Sequence, residues 1–234
     1  MTARYAIYYA PPAECLLWAK ASAWLGRDAY SGRAVARPPL PGLEDLDLDA
    51  LTSDPRSYGF HATLKAPFEL AQDRTEAGLL DFSRAFADAQ PPFQAAIAPT
   101  RLGRFHAFRT IGVPAAMRAL HDACVEAFDP FRAPMSAFDL DRRRKAGLTP
   151  DQDRRLVEWG YPYIFEDFRF HMTLTNALRE EAVSARIATA LAAYFANETG
   201  PHLFDGVAVF KQDHRNAPFR ILERFAFRAP VAAR

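Results

Sequence analysis

Two stretches of this sequence set the same residue types in the same order. "YGFHATLKAPF" (Tyr58 to Phe68) and "FRFHMTLTNAL" (Phe168 to Leu178) each contain Phe-His-x-Thr-Leu, centred on His61 and His171. Histidine's unperturbed pKa lies near neutrality, so small environmental shifts let one imidazole be a neutral base while another is a protonated acid. The first can take a proton from water attacking phosphorus, and the second can give one to the departing alkoxide. The hydroxyls of Thr63 and Thr173 can hold the non-bridging oxygens, where charge builds. Such a set suits a cyclic phosphodiester held between the motifs, and the chemistry calls for no metal or other cofactor.

These groups must be presented side by side, and a strand does that. Side chains alternate across a strand, so His61 and Thr63 share one face while Phe60, Ala62 and Leu64 share the other. His171 and Thr173 divide in the same way from Phe170, Met172 and Leu174. Lys65 joins the first polar face as a candidate phosphate ligand, and Arg169 and Thr175 join the second, provided no bulge intervenes. His106, His121, His202 and His214 have no matching second copy and are read as core or surface residues. Arg220, Arg224 and Arg228 read as a solvated strand face. Tyr5, Tyr8 and Tyr9 read as core and rim, and Tyr58 adjoins the first motif, where it could contact a substrate ring.

The elements that carry the motifs follow from periodicity and punctuation. "RYAIYYAP" reads as a strand ending at Pro11-Pro12, and "AECLLWAKASAWLG" as a helix closed by Gly26. Residues 27–56, rich in proline and acidic side chains, read as a loop or small excursion outside the core. After the first motif strand come a helix ("TEAGLLDFSRAFADA"), two strands turned at Gly103, and a helix opened by Pro114. Residues 134–161 read as an insertion, with one helix, a break at Gly147, and a second helix capped near Thr149-Pro150. The second motif strand then precedes the helix "EEAVSARIATALAAYFANETG" and an antiparallel pair, "HLFDGVAVFKQD" with "FRILERFAFRAP". Motif strand, helix, strand, strand thus occurs twice, with no low-complexity linker between the halves. The expectation is a single domain over 1–234, with two interleaved lobes.

Composition narrows the partners. The chain has 234 residues, half of them hydrophobic, enough for a sizeable core. Lysine and arginine total 29 against 28 aspartates and glutamates, so no global basic field favours a stable nucleic-acid partner, and phosphate recognition must be local. Two isolated cysteines, Cys15 and Cys124, fit a reducing compartment and form no zinc-ligand pattern. The N-terminus lacks a signal-like apolar run and no segment is long enough to span a membrane, so the expected location is the cytoplasm. No G-x-x-x-x-G-K-[ST] or G-x-G-x-x-G loop occurs, which excludes the usual nucleotide-triphosphate and dinucleotide folds.

The paired "HATL" and "HMTL" resemble the H-x-T/S-hydrophobic motifs of the two-histidine (2H) phosphoesterase superfamily, which includes cyclic nucleotide phosphodiesterases and LigT-like bacterial enzymes. "YGFHATLKAPF" and "RFHMTLT", with "RRRKAGLT", are similar to a bacterial subgroup often encoded with phosphonate-utilisation genes. The resemblance spans nearly the whole chain. It implies an α+β fold, bilobal and duplicated, with two antiparallel sheets around a central cleft and helices outside. It also implies metal-independent phosphoesterase chemistry at His61, Thr63, His171 and Thr173, and with the residue reading above the expected substrate is the cyclic phosphate of a nucleotide, an RNA end, or a sugar or other small phosphorylated metabolite, in a phosphonate-metabolism setting. The segments 27–56 and 134–161 exceed the small members and are expected to shape the pocket. The rival reading is a module that binds RNA ends or a phosphorylated metabolite without turnover.

Overall fold

The computed structural model describes residues 2–112 and 114–228. Strand β1 (Arg4–Tyr9) is buried from Tyr5 onward and runs through the middle of a sheet. Helix α1 (Leu16–Leu25) stops at Gly26, whose φ of 79° lets its N–H turn back to the carbonyls of Ser22 and Ala23.

The segment 27–56 is more than a loop. It contains the short helix α2 (Leu48–Leu51) and leads through it into α3 (Ser53–Tyr58), and it sends Leu40 and Leu43 into the core. Arg37 binds it back to α1, donating to the carbonyls of Leu25 and Leu48 at 3.2 Å and to Thr52 Oγ1 at 2.8 Å. Leucines spaced among prolines and acids carry no regular period, so the docking was invisible to a periodicity reading.

Strand β2 (Ala62–Phe68) holds most of the first motif, and α4 (Glu76–Asp88), β3 (Phe93–Leu102), β4 (Phe105–Thr110) and α5 (Ala115–Ala127) follow. The insertion 134–161 forms α6 (Ala137–Arg144) and α7 (Pro150–Trp159), broken at Gly147, φ 73°. Thr149 and Gln152 form a reciprocal capping box at the start of α7. The second motif contributes only a two-residue strand, β5 (Met172–Thr173), and α8 (Glu181–Tyr194), β6 (Gly200–Phe204), β7 (Gly206–Gln212) and β8 (Arg220–Ala226) complete the order. Residues 229 and 230, at the end of the expected closing strand, lie outside the described residues.

The fold is α+β, with two antiparallel four-stranded sheets in the orders β2-β1-β7-β8 and β5-β4-β3-β6. Each motif strand is the edge of its own sheet, and the two edges approach one another across the cleft. Helices α4 and α5 pack on the first sheet and α8 on the second. Each motif strand also lies in the opposite sheet from the hairpin that follows it in sequence, β3-β4 after β2 and β7-β8 after β5.

One expected strand is two. "HLFDGVAVFKQD" splits between β6 in the second sheet and β7 in the first, with Asp205 at the crossing. The switch depends on Gly206: a Cβ there would meet the Phe225 carbonyl oxygen at 2.6 Å and the Arg224 side chain at 2.9 Å. Arg224 is held by Asp205 and by the carbonyl of Ala10 at 2.8 Å, so it belongs to this junction and not to a solvated face. Gly206→Ala is expected to cost about 1–3 kcal/mol, the usual penalty for forcing atoms into a filled space. Chemical denaturation checks this, and an unchanged midpoint would mean that β7 and β8 can part at this point.

Candidate active site

The alternation expected on the motif strands positions the polar groups at the cleft. Phe60, Ala62, Leu64, Met172 and Leu174 are fully buried and Phe170 nearly so, while His61, Thr63, His171 and Thr173 keep partial exposure. The buried set anchors each strand against its sheet and leaves the intervening side chains no other direction.

Both imidazoles are held by the same device. His61 Nδ1 lies 2.8 Å from the carbonyl oxygen of Gly59, and His171 Nδ1 lies 2.7 Å from that of Arg169, in each case two residues back. A carbonyl only accepts, so Nδ1 carries the hydrogen and Nε2 presents its lone pair. His61 Nε2 lies 3.5 Å from Thr63 Oγ1, setting imidazole and hydroxyl side by side. Tyr8 stacks on His61 with ring centroids 3.9 Å apart, and Tyr58 lies nearly parallel at 5.8 Å. Against His171 stands Phe105, at 5.8 Å.

The cleft has two communicating halves. One, of about 330 Å³, is lined by Tyr8, Tyr58, His61, Thr63, Arg143 and Thr173 among others. The other, of about 440 Å³, is lined by Thr63, Tyr163, Arg169 and His171 among others. Thr63, Ala66, Phe105 and Tyr161 border both, so Thr63 sits at the junction.

Burial depresses both histidines. The pKa of His61 falls to about 4, chiefly because the ring is largely withdrawn from water, and nearby His171 adds to the effect against the Gly59 hydrogen bond. His171 is lowered by burial and by Arg109, against its bond to the Arg169 carbonyl. At neutral pH both rings are therefore uncharged until an anion enters.

Lys65 is not brought to the cleft. Thr63 pairs with Tyr8 but Lys65 with Ile7, so Leu64 is an extra residue opposite the partner strand, a bulge that reverses the alternation. Ala66 takes the cleft position instead. The Lys65 ammonium is buried, donating to Asp129 at 2.6 Å and to the Val125 carbonyl at 2.8 Å, and burial pulls its pKa down to about 8. Thr175 is also withdrawn, its hydroxyl accepting from the His106 N–H at 3.0 Å, though it borders the His61 half. Arg169 does border the cleft. Four contributors were missed from sequence: Tyr8, Phe105, Tyr161 and Arg143. The last two come from the insertion, and only the "RRR" run in "DRRRKAGLT" hinted at one of them. Among the described residues, no three His, Cys, Asp or Glu side chains gather where a metal ion could be held.

These facing edges and paired motifs form the architecture that the resemblance to two-histidine phosphoesterases implied. Residues 63–220 match the family described as "Protein of unknown function (DUF1045)", and the chain belongs to that family. A protein of Janthinobacterium sp. (strain Marseille) named ribose 1,5-bisphosphate phosphokinase PhnN is 39% identical over 232 residues, 96% of this chain and 51% of that protein. A protein of the same name from Laribacter hongkongensis (strain HLHK9) is 36% identical over 218 residues, covering 93% and 50%. The chain thus spans about half the length of the curated relatives it matches. Among solved structures, E. coli LigT complexed with 3′-AMP is similar at a TM-score of 0.45 and 12% identity, covering 97% of this chain and 99% of that one. Among the described residues, no helix is long and apolar enough to cross a membrane.

Proposed function

We propose that this chain is a phosphoesterase that hydrolyses a cyclic phosphodiester by two-histidine acid–base catalysis. The observation that carries the proposal is the doubled device: two imidazoles, each tied at Nδ1 to the carbonyl two residues back, each beside a threonine, on facing strand edges. Water attacks phosphorus as one imidazole Nε2 takes its proton. The new P–O bond forms as the ring P–O bond breaks, and the alkoxide takes a proton from the other imidazole, now an imidazolium. His61, held furthest toward the neutral form, is assigned as the base in ring opening, and His171 as the acid once the bound phosphate raises its pKa. Thr63 and Thr173 donate to the non-bridging oxygens. The relatives named for a ribose bisphosphate support a sugar phosphate as the substrate class. Their kinase activity is not carried over, because this chain has no Gly-rich phosphate loop.

The test is a panel of ribose and nucleoside cyclic phosphates assayed with and without chelator. Ring-opened product that resists chelator supports the proposal, whereas binding without product supports the non-catalytic module.

The depressed imidazoles set the expected pH dependence. A cyclic phosphodiester without a phosphomonoester stays a monoanion over the working range, so kcat/KM measured on such a compound reports the free enzyme's pair of macroscopic pKa values. The base must be neutral and the acid protonated, and both values lie below 6.5. Loss of the acid's proton therefore already lowers kcat/KM as pH rises through neutrality, and the maximum is expected on the acid side. The alkaline limb of kcat should lie higher, since bound phosphate favours the imidazolium. A kcat/KM maximum above pH 8 would contradict two depressed imidazoles as the acid–base pair.

A further inference from the structure

Beside the His61 half of the cleft lies a hollow of about 160 Å³, whose charged border is Arg4, Arg132, Arg142, Arg143 and Arg215 with the carboxylates Glu69 and Asp139. It shares Ala66, Pro67 and Arg143 with the cleft itself. The five guanidinium groups come from β1, the turn after α5, the inserted helix α6 and the β7–β8 connection, so the fold gathers them from four distant parts of the chain.

Their partners do not balance them. Arg132 is satisfied by Asp129 at 2.9 Å and by the Glu158 carbonyl at 2.7 Å. Arg215 grips Asp139 with two bonds, at 2.6 and 2.5 Å, and meets Glu69 at 3.5 Å. Arg142 reaches only the same Asp139 carboxylate, at 3.2 Å. Arg4 points to the neutral carboxamide of Gln212, its Nε at 2.8 Å. Arg143 lies 5.0 Å over the Tyr161 ring, and its Nε is buried with no hydrogen-bond partner. Five guanidinium groups thus meet three carboxylates, Asp129, Asp139 and Glu69; Arg142 only shares Asp139 with Arg215, and Arg4 and Arg143 have no carboxylate partner among the described residues. The crowding is felt by Arg4, whose charged form is disfavoured by burial and by Arg215 and Arg142. Gathering like charges costs free energy, and a dianion with several acceptor oxygens reverses the cost, for which planar guanidinium forks are well shaped.

We propose that this hollow is a second phosphate subsite, and that the substrate is a cyclic phosphodiester on a sugar that also bears a phosphomonoester. The inference rests on the hydrolytic reading of the neighbouring cleft. The cyclic phosphate lies between the histidines, the sugar spans Ala66 and Pro67, and the phosphomonoester enters the arginines, with Arg143 facing both.

The test uses two substrate pairs: adenosine 2′,3′-cyclic phosphate with and without a 5′-phosphate, and ribose 1,2-cyclic phosphate with and without a 5-phosphate. The phosphorylated member of at least one pair is expected to have a kcat/KM about 10- to 100-fold higher, the effect of a charge-assisted contact. A preference in one pair only supports the subsite and identifies the carrier of the phosphate. In Arg4→Gln and Arg142→Gln, singly and together, that ratio should fall toward one, mainly through KM. Wild-type ratios near one in both pairs, or variants that slow both members equally, overturn the subsite. Should no compound be turned over, the hydrolytic reading fails by itself. Ribose 5-phosphate titration then decides the subsite: it stands if the probe binds wild type and His61→Ala alike and about tenfold more weakly to the double arginine variant, and it falls if all affinities are equal or binding is absent.

Discussion

His61→Ala and His171→Ala are each expected to lower kcat by about 10²–10⁴-fold, the usual contribution of a positioned acid or base, while leaving the protein folded. The fold should survive because each imidazole projects from its strand into the cleft, and the residues that anchor the strand, Phe60 and Leu64 or Phe170 and Leu174, remain buried. Because the rings act on the same proton inventory, the double variant should lose far less than the product of the single losses. Single-turnover rates on the best compound of the panel, with thermal unfolding as a control, check this. A folded single variant at near wild-type rate would remove that histidine from the mechanism.

The threonines carry the second large effect. Thr63→Val and Thr173→Val keep the side-chain shape and delete one donor, and each is expected to cost about 2–4 kcal/mol of transition-state stabilisation if the hydroxyl acts as an oxyanion-hole donor does. The loss should fall in kcat if the hydrogen bond strengthens as charge develops on phosphorus, and in KM if it only holds the ground state. Thr63, at the junction of the two halves of the cleft, should show the larger effect. Valine favours strands, so a threonine that merely packs would give a variant of equal or higher stability with turnover intact. Two active valine variants would return the site to the histidines alone.

How far the sequence led differs from residue to residue. The split between His61/Thr63 and Phe60/Ala62/Leu64 was legible because it follows from the two-residue repeat of any strand. The capping of α7 was equally legible, since Thr149-Pro150 followed by Gln152 is a local signal for a helix start. Lys65 escaped because a bulge depends on the partner strand: the slip at Leu64 exists only in the pairing of β2 with β1. The division of "HLFDGVAVFKQD" between two sheets escaped for a similar reason, as Gly206 matters through Phe225 and Arg224, which neighbour it in space.

The sequence by itself determined the chemistry on offer, two copies of an imidazole beside a hydroxyl on an apolar-backed strand, because residue type and strand period are local properties. Only the tertiary structure decided that the two copies face one another, that Nδ1 of each ring is spent on a carbonyl so that Nε2 is free, and that Arg143 and Tyr161 of the insertion complete the wall. Those facts depend on which sheet edge each motif strand occupies and on burial that depresses both pKa values. Pairing, burial and proximity belong to contacts between residues far apart in the chain, and a one-dimensional pattern does not contain them.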